Sequence, residues 1–329
     1  MGRIRRVETE EGTLLLNIPW VESPLFPKLL AEAQLPREQE NLVRTYAERG
    51  YVVFDFPAAD IDRLARKIRT SLSHTSEAPH GRVQDAWKSC ISIRSIAANT
   101  DILAMLRLLY RREPIPFQTL NFPVGTEQLT HSDTIHFHCI PHRFMCGVWV
   151  ALEDVDDDNG PLHVYPGSHK LPVWDMHALG LPSGCESYGI YEQAICAIVE
   201  ELGLQKEPVL LKKGQAVVWA ANLLHGGEYI RDPARTRLSQ ATHYFFEHCL
   251  YYTPMHSDPF LGTVAFRDII NIVDGRGVPN TYGGKPLPPS IVGHRRGEVT
   301  MEREEECSVP RRAIIRRVLR RLWEVRVGG

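Results

Sequence analysis

Short apolar segments separated by strong turn signals run through the middle of the chain and limit the folds open to it. FMCGVWVALEDV (residues 144–155) is an almost unbroken apolar run, typical of a buried strand, and the polar stretch DDDNG follows it as a turn. PLHVYPGSH, EPVLLKKGQAVVWAANLLHGG and RTRLSQATHYFF repeat this succession of short strands and turns. Strands so short and so closely spaced predict a β-sandwich or barrel.

Segments with helical spacing lie before this β region and once inside it. REQENLVRTYAERG, ADIDRLARKIRTSL and TDILAMLRLLYRRE precede it, and ESYGIYEQAICAIVEELGL interrupts it as an insertion. We therefore expect a mainly β protein with flanking helices. The expected divisions are an N-terminal helical extension (residues 1–50), a β domain (residues 51–250) and a C-terminal extension (residues 251–329).

The C-terminal extension ends in PRRAIIRRVLRRLWEVRVGG, which places apolar residues on one helical face and arginines on the rest. Such a helix packs on its own domain or a second subunit, or makes a weak contact with an anionic membrane surface. The formal net charge of -2 does not favour binding to nucleic acid. Seven cysteines without a C-x-x-C pair indicate reduced thiols, so we expect a cytoplasmic protein.

Candidate metal ligands stand out in THSD, where His131 and Asp133 are two residues apart. On a strand, residues at this spacing point to the same side, so an imidazole and a carboxylate could bind one metal ion together. His225 ends an apolar strand just before a Gly-Gly turn and is the candidate third ligand. Two histidines and one carboxylate form the ligand set of non-haem Fe(II) oxygenases. The alternative is a turn aspartate beside a surface histidine.

A candidate anion site follows in RTRLS, where Arg237 and Ser239 share one face of an alternating strand. A guanidinium group and a hydroxyl suit a carboxylate ligand, whereas the alternative is an arginine paired with one of the protein's own acids. Arg235 competes for the same role but lies nearer the turn, where we expect it to be exposed.

Three further histidines, His136, His138 and His142, follow the THSD segment. They could extend the metal site, but we expect them on the loop over its mouth, where a substrate would be recognised. The alternative is surface-loop histidines without a role. Trp149, in the middle of the apolar run, is expected to be a core residue.

The ordered set of HSD, GVWVALEDVDDDNGPLHVYPGSHK, HGG and RTRLS resembles the phytanoyl-CoA dioxygenase family of Fe(II)/2-oxoglutarate-dependent oxygenases. The resemblance extends over roughly residues 51–247. It implies a double-stranded β-helix, which is a cupin-like jelly roll.

The resemblance also implies roles for particular residues. His131, Asp133 and His225 would bind Fe(II) and form the catalytic centre, and Arg237 and Ser239 would bind 2-oxoglutarate, with Gln118 as a further contact. Related halogenases have Gly or Ala at the acid's position, so Asp133 favours hydroxylation.

The function predicted from the resemblance is a dioxygenase that uses Fe(II), 2-oxoglutarate and O2 to hydroxylate a small organic metabolite, with release of succinate and CO2. Two alternatives are a non-catalytic β-helix that binds a ligand and a cupin-like metalloprotein that does not use 2-oxoglutarate.

Overall fold

The structure is a computed structural model that describes residues 17–73, 82–282 and 285–287. Its helices are α1 (Phe26–Ala33), α2 (Arg37–Arg49), α3 (Ile61–Leu72), α4 (Ile91–Ala97), α5 (Thr100–Tyr110) and α6 (Tyr188–Glu201). Its longer strands are β1 (Tyr51–Asp55), β3 (Pro114–Phe122), β5 (Met145–Ala151), β8 (Gln215–Ala220) and β10 (Ser239–Phe246). The shorter strands are β2 (Val83–Gln84), β4 (His138–Ile140), β6 (Leu162–Val164), β7 (Glu207–Val209), β9 (His225–Gly227), β11 (Leu250–Tyr252), β12 (Ile269–Ile270), β13 (Gly277–Val278), β14 (Thr281–Tyr282) and β15 (Lys285–Pro286).

Two antiparallel sheets form the β core. The larger sheet has the strand order β1-β8-β5-β10-β3-β2, and the smaller has the order β7-β6-β9. Side chains from both sheets meet in one apolar cluster, which includes Trp149, Val217 and Ala241 from the larger sheet and Val164 and Val209 from the smaller one. Two sheets packed face to face in this way form the expected jelly roll, which is confirmed.

Helices α1 to α5 cover the other face of the larger sheet. Tyr46 of α2, Ile68 of α3 and Leu106 of α5 are fully buried in one core cluster with Val148 and Phe246 of the sheet. Both faces of β5 and β10 are therefore covered, and every residue of these two strands is buried. This double burial explains why the apolar run at residues 144–155 shows little alternation.

Helix α6 is the expected insertion and lies in the connection between β6 and β7. Its apolar side chains Tyr191, Ile195 and Val199 pack with Ile135 and Tyr165 in a third cluster, separate from the cluster between the sheets. The insertion therefore contacts the segment that carries Asp133, because Ile135 belongs to the same short turn.

The expected division of the chain at residues 50 and 250 remains a prediction. Residues on either side of the β region, such as Trp20 and Ile269, join the same core cluster as the larger sheet. The predicted basic helix near the C-terminus lies outside the described residues. In the part of the chain that the structure describes, no helix combines the length and the apolar character needed to cross a bilayer.

Candidate metal centre

His131 and His225 are neighbours because their backbones pair. The two residues form an antiparallel bridge with N–O distances of 2.9 and 3.0 Å, and their rings are 4.5 Å apart between centroids. Ser132 is extended, with φ -117° and ψ 137°, and Asp133 then begins a short 3-10 turn. The expected strand is thus only a single bridge, yet one extended residue suffices to bring His131 and Asp133 together.

The three side chains form a compact group of candidate ligands. Oδ1 of Asp133 lies 4.0 Å from Nε2 of His131 and 3.8 Å from Nε2 of His225. All three residues are buried, and their ligand atoms lie within 4.8 Å of one another. Among the described residues, this is the one group of three or more such side chains close enough to share a metal ion.

Hydrogen bonds orient both imidazoles for metal binding. Nδ1 of His131 donates to the carbonyl of Leu129 at 2.8 Å, and Nδ1 of His225 donates to the carbonyl of Leu223 at 2.9 Å. These bonds leave each Nε2 with a lone pair that faces the other two candidate ligands. Burial and the neighbouring His225 lower the pKa of His131 to about 3, so its ring is neutral, as a ligand must be.

Asp133 is oriented by Trp219, whose indole Nε1 donates to Oδ2 at 2.8 Å. Burial alone would raise the pKa of Asp133, but His225, His243, His131 and this indole bond together hold it below its usual value. The indole can lie there because residue 147 is glycine: a Cβ at Gly147 would meet Cζ2 of Trp219 at 2.2 Å. The carboxylate therefore presents Oδ1 to the two histidines as an anion.

Gln118 and His243 face each other across β3 and β10 beside the metal group. Nδ1 of His243 is 3.0 Å from Oε1 of Gln118, and Nε2 of His243 is 3.9 Å from Oδ2 of Asp133. Phe122, four residues further along β3, pairs with Ser239, so strand geometry separates the Gln118 and Ser239 positions by about 13 Å. Gln118 therefore lies at the metal end of the space between the sheets.

Arg237 lies at the other end of this space and is only 1% exposed. Its Nη1 donates to the carbonyl of Gly160 at 2.5 Å, whereas Nε has no hydrogen-bond partner. Burial lowers the pKa of Arg237 to about 10, which still leaves it charged at neutral pH. Among the described residues, no carboxylate lies within ion-pair distance of this guanidinium group. The alternative of an arginine paired with an internal acid does not fit this geometry.

Trp149 supplies a second buried donor without a partner. Its ring centre is 5.4 Å from the guanidinium carbon of Arg237, and its Nε1 makes no hydrogen bond. Buried polar groups are nearly always paired, so two unpaired donors side by side suit an anionic ligand. Ser239 is buried in the same region, and its Oγ lies 3.3 Å from the carbonyl of Arg237.

Arg235 has a different environment. Its Nη1 contacts both carboxylate oxygens of Asp156, at 2.7 and 2.9 Å, and its side chain is 35% exposed. The guanidinium of Arg235 is therefore paired at the rim, as expected from its position near the turn. The geometry favours Arg237 as the anion-binding residue.

The sequence model of the phytanoyl-CoA dioxygenase (PhyH) family matches residues 28–237, which include the metal group and Arg237. The chain belongs to this family. A zebrafish (Danio rerio) protein, phytanoyl-CoA dioxygenase domain-containing protein 1, is 30% identical over 120 residues. That match spans 34% of this chain and 36% of the zebrafish protein, about a third of its length.

Solved structures of three other proteins share the fold of this chain. EctD from S. alaskensis, with 2-oxoglutarate and 5-hydroxyectoine, matches with a TM-score of 0.55 and 18% identity over 75% of this chain and 86% of that one. The epimerase SnoN, in complex with Fe3+, alpha ketoglutarate and nogalamycin RO, matches with a TM-score of 0.54 and 22% identity over 77% of this chain and 97% of that one. The carbocyclase SnoK matches with a TM-score of 0.55 and 18% identity over 73% and 95%.

Gln128 is a site residue that the sequence analysis missed. Its Nε2 lies 3.2 Å from Nε2 of His131, and because His131 donates through Nδ1, Gln128 is the donor in this contact. Gln128 therefore donates to the lone pair on Nε2 of His131, which is the lone pair that would bind a metal ion. The one signal in the sequence is its position three residues before His131.

His136, His138 and His142 are not part of the metal group, and His138 lies in strand β4 and not on the expected loop. The His136 ring is 6.4 Å from that of His131, and its Nε2 is 3.1 Å from the hydroxyl of Tyr188. His138 is 3.2 Å from His142 and 3.1 Å from the hydroxyl of Tyr252. Of the three, His136 is the one placed beside the metal ligands.

The Trp219→Phe variant tests the bond that orients Asp133. It keeps an aromatic ring but removes the indole donor, so we expect Fe(II) affinity to fall about 10- to 100-fold in an anaerobic titration. Trp87→Phe is a matched control, because Nε1 of Trp87 also donates to an aspartate, Oδ1 of Asp85, at 3.2 Å. Equal Fe(II) affinity in the Trp219 variant and the native protein would contradict the assigned role.

Proposed function

We propose that this chain is an Fe(II)- and 2-oxoglutarate-dependent dioxygenase that hydroxylates a small organic molecule. His131, Asp133 and His225 would hold the iron, and Arg237 and Ser239 would bind the far carboxylate of 2-oxoglutarate. The observation that carries the proposal is a His-Asp-His group together with a buried arginine whose Nε has no partner, each beside a tryptophan of the cluster between the two sheets. Membership of the phytanoyl-CoA dioxygenase family supports the same assignment.

The side chains of the candidate site fit both Fe(II) and 2-oxoglutarate. Two neutral imidazoles and one carboxylate leave several positions open on an Fe(II) ion. Bound iron and 2-oxoglutarate would supply the oxidising chemistry with O2, in which 2-oxoglutarate becomes succinate and CO2 while a substrate C–H bond becomes C–OH. Asp133 occupies the position that related halogenases leave to a halide, which favours hydroxylation.

The protein's own side chains would bind and orient the reactants. Arg237 would neutralise the far carboxylate, with Nε1 of Trp149 as an additional donor beside it. Gln118 and Gln128 lie at the metal end, where their amides could bind the near carboxylate. The apolar cluster between the sheets, including Ala241 and Val217, would exclude water from the pocket.

The combination of Arg237 with the His-Asp-His group argues against both alternatives. A non-catalytic β-helix that binds an anionic ligand would need Arg237 but not the oriented His-Asp-His group. A metalloprotein that does not use 2-oxoglutarate would need that group but not a buried arginine without an acidic partner.

An anaerobic titration tests the proposal. Fe(II) and 2-oxoglutarate together are expected to give a weak visible charge-transfer band that neither gives alone, and admission of O2 should then release succinate. If 2-oxoglutarate leaves the spectrum of the Fe(II) protein unchanged and no succinate forms, the proposed function is wrong.

A further inference from the structure

Partly exposed residues beside the metal group show where a substrate can enter. Most neighbours of the three ligands are buried, including Trp219, His243 and Gln118. Gln128, His136 and Tyr188 are only partly buried, and Gln128 is in contact with His131. The open approach to the metal group therefore runs between the first turn of α6 and the segment from residue 128 to 136; we call it the entrance.

Tyr188 lies among the polar groups of the entrance. Its hydroxyl lies 3.1 Å from Nε2 of His136. Burial keeps the pKa of Tyr188 well above its usual value, Glu192 raises this pKa further and Gln128 lowers it, so both side chains are neighbours of the neutral phenol. Gln128, Tyr188 and Glu192 thus lead from His131 outward to an acidic group.

Glu192 has an unusual environment for a carboxylate. It lies four residues after Tyr188 on α6, on the same helix face, and is partly buried. Within the described ranges, no Lys, Arg or His side chain forms an ion pair with it, and burial raises its pKa to about 7. A carboxylate offers about four acceptor positions, and Tyr188 could fill one of them. The remaining positions are available to a ligand.

Arg267 is a basic side chain at the edge of the entrance. Its Nη1 lies 3.4 Å from the carbonyl of His136 and 2.9 Å from Oγ1 of Thr253, and its guanidinium carbon lies 4.8 Å from the centre of the Phe137 ring. Arg267 does not shift the pKa of Glu192, whose carboxylate is therefore the charge that a ligand meets beside Tyr188. A polyanionic carrier such as a CoA thioester would be repelled by Glu192, whereas an ammonium group would be attracted to it.

We propose, building on the dioxygenase function above, that the substrate is a small organic amine whose ammonium group is bound by Glu192 at the entrance. Tyr188 and His136 would stand beside it, since their ring centres are 5.0 Å apart and an aromatic face attracts a cation. A bound cation would also neutralise the negative charge of the partly buried Glu192 carboxylate. Tyr188 and Gln128 lie between Glu192 and His131, which suits a substrate of a few carbon atoms.

The test compares molecules that share a carbon skeleton and carry a positive charge, no charge or a negative charge. Butyl, cyclohexyl and phenethyl amines are compared with the alcohols and carboxylates of the same skeletons. Binding to the full chain with Fe(II) and 2-oxoglutarate is followed through the charge-transfer band, and binding to the metal-free chain by calorimetry. We expect the best amine to bind about tenfold more tightly than its alcohol, as for one charge-assisted hydrogen bond, and the carboxylates to bind most weakly.

Glu192→Gln removes the charge but keeps an oxygen that can accept from Tyr188. The variant should lose the preference for amines, whereas Glu200→Gln, an exposed change on the same helix, should retain it. The proposal is overturned if no amine binds the native protein, if alcohols bind as well as amines, or if Glu192→Gln keeps the preference. A missing charge-transfer band in the native protein would instead refute the dioxygenase function, while calorimetry would still decide whether Glu192 binds amines.

Discussion

The Asp133→Ala variant is expected to release succinate about 1000-fold more slowly than the native protein, since a bound metal ion contributes several kcal/mol to catalysis. The variant removes the one anionic member of the candidate ligand group, whose Oδ1 faces both histidines. The two neutral imidazoles alone should bind Fe(II) weakly. Anaerobic Fe(II) titration should therefore show the same defect as the activity assay.

Asp157→Ala is a suitable control, because Asp157 is exposed in the turn after β5 and is remote in sequence from the three ligands. Circular dichroism of the metal-free variants establishes that the fold persists. Normal Fe(II) affinity and turnover in Asp133→Ala would exclude this aspartate as a metal ligand and, with it, the proposed centre.

The Arg237→Ala variant is expected to raise the KM for 2-oxoglutarate about 100-fold, which corresponds to about 3 kcal/mol for one buried, charge-paired contact. Arg237 is buried, and its Nε has no partner in the protein, so its removal should weaken mainly the binding of 2-oxoglutarate. Fe(II) binding without 2-oxoglutarate should stay close to the native value. If Arg237 only stabilised the fold, its removal would change the KM for 2-oxoglutarate and the Fe(II) affinity together.

Arg235→Ala is the matched control, since it removes the same charge two residues away. Arg235 pairs with Asp156 at the rim, and exposed ion pairs contribute little to stability, so the KM for 2-oxoglutarate should change less than fivefold. The reverse pattern, with a large effect at Arg235 and none at Arg237, would show that the co-substrate lies at the rim.

Local patterns were sufficient to predict the class of fold and the residue types of the site. Closely spaced short strands indicated two packed sheets, and the two-residue spacing of His131 and Asp133 brings both side chains into one group even though no regular strand forms there. Arg237 was preferred to Arg235 for its distance from a turn, and in the structure Arg237 is buried whereas Arg235 pairs with Asp156. These features depend on neighbouring residues along the chain.

Other features depend on groups far apart in the sequence. Trp149 was predicted to be core, and it is buried, but hydrophobic patterning does not reveal that its Nε1 lacks a partner beside Arg237. The bond from Trp219 to Asp133 requires a glycine at residue 147 on the paired strand. Neither the entrance nor the acid at Glu192 could be assigned until α6 was placed against residues 128 to 136.

The sequence by itself indicated the longer strands, most of the longer helices and the chemical character of the candidate ligands, because each of these follows from residue type and short-range spacing. Only the tertiary structure decided which donors remain unpaired, how Asp133 is oriented and which charged group faces the entrance. The physical reason is that strand register and helix packing set the distances between residues far apart in the sequence, such as Gln118 and His243, and hydrogen bonds and ion pairs form only within a few ångströms.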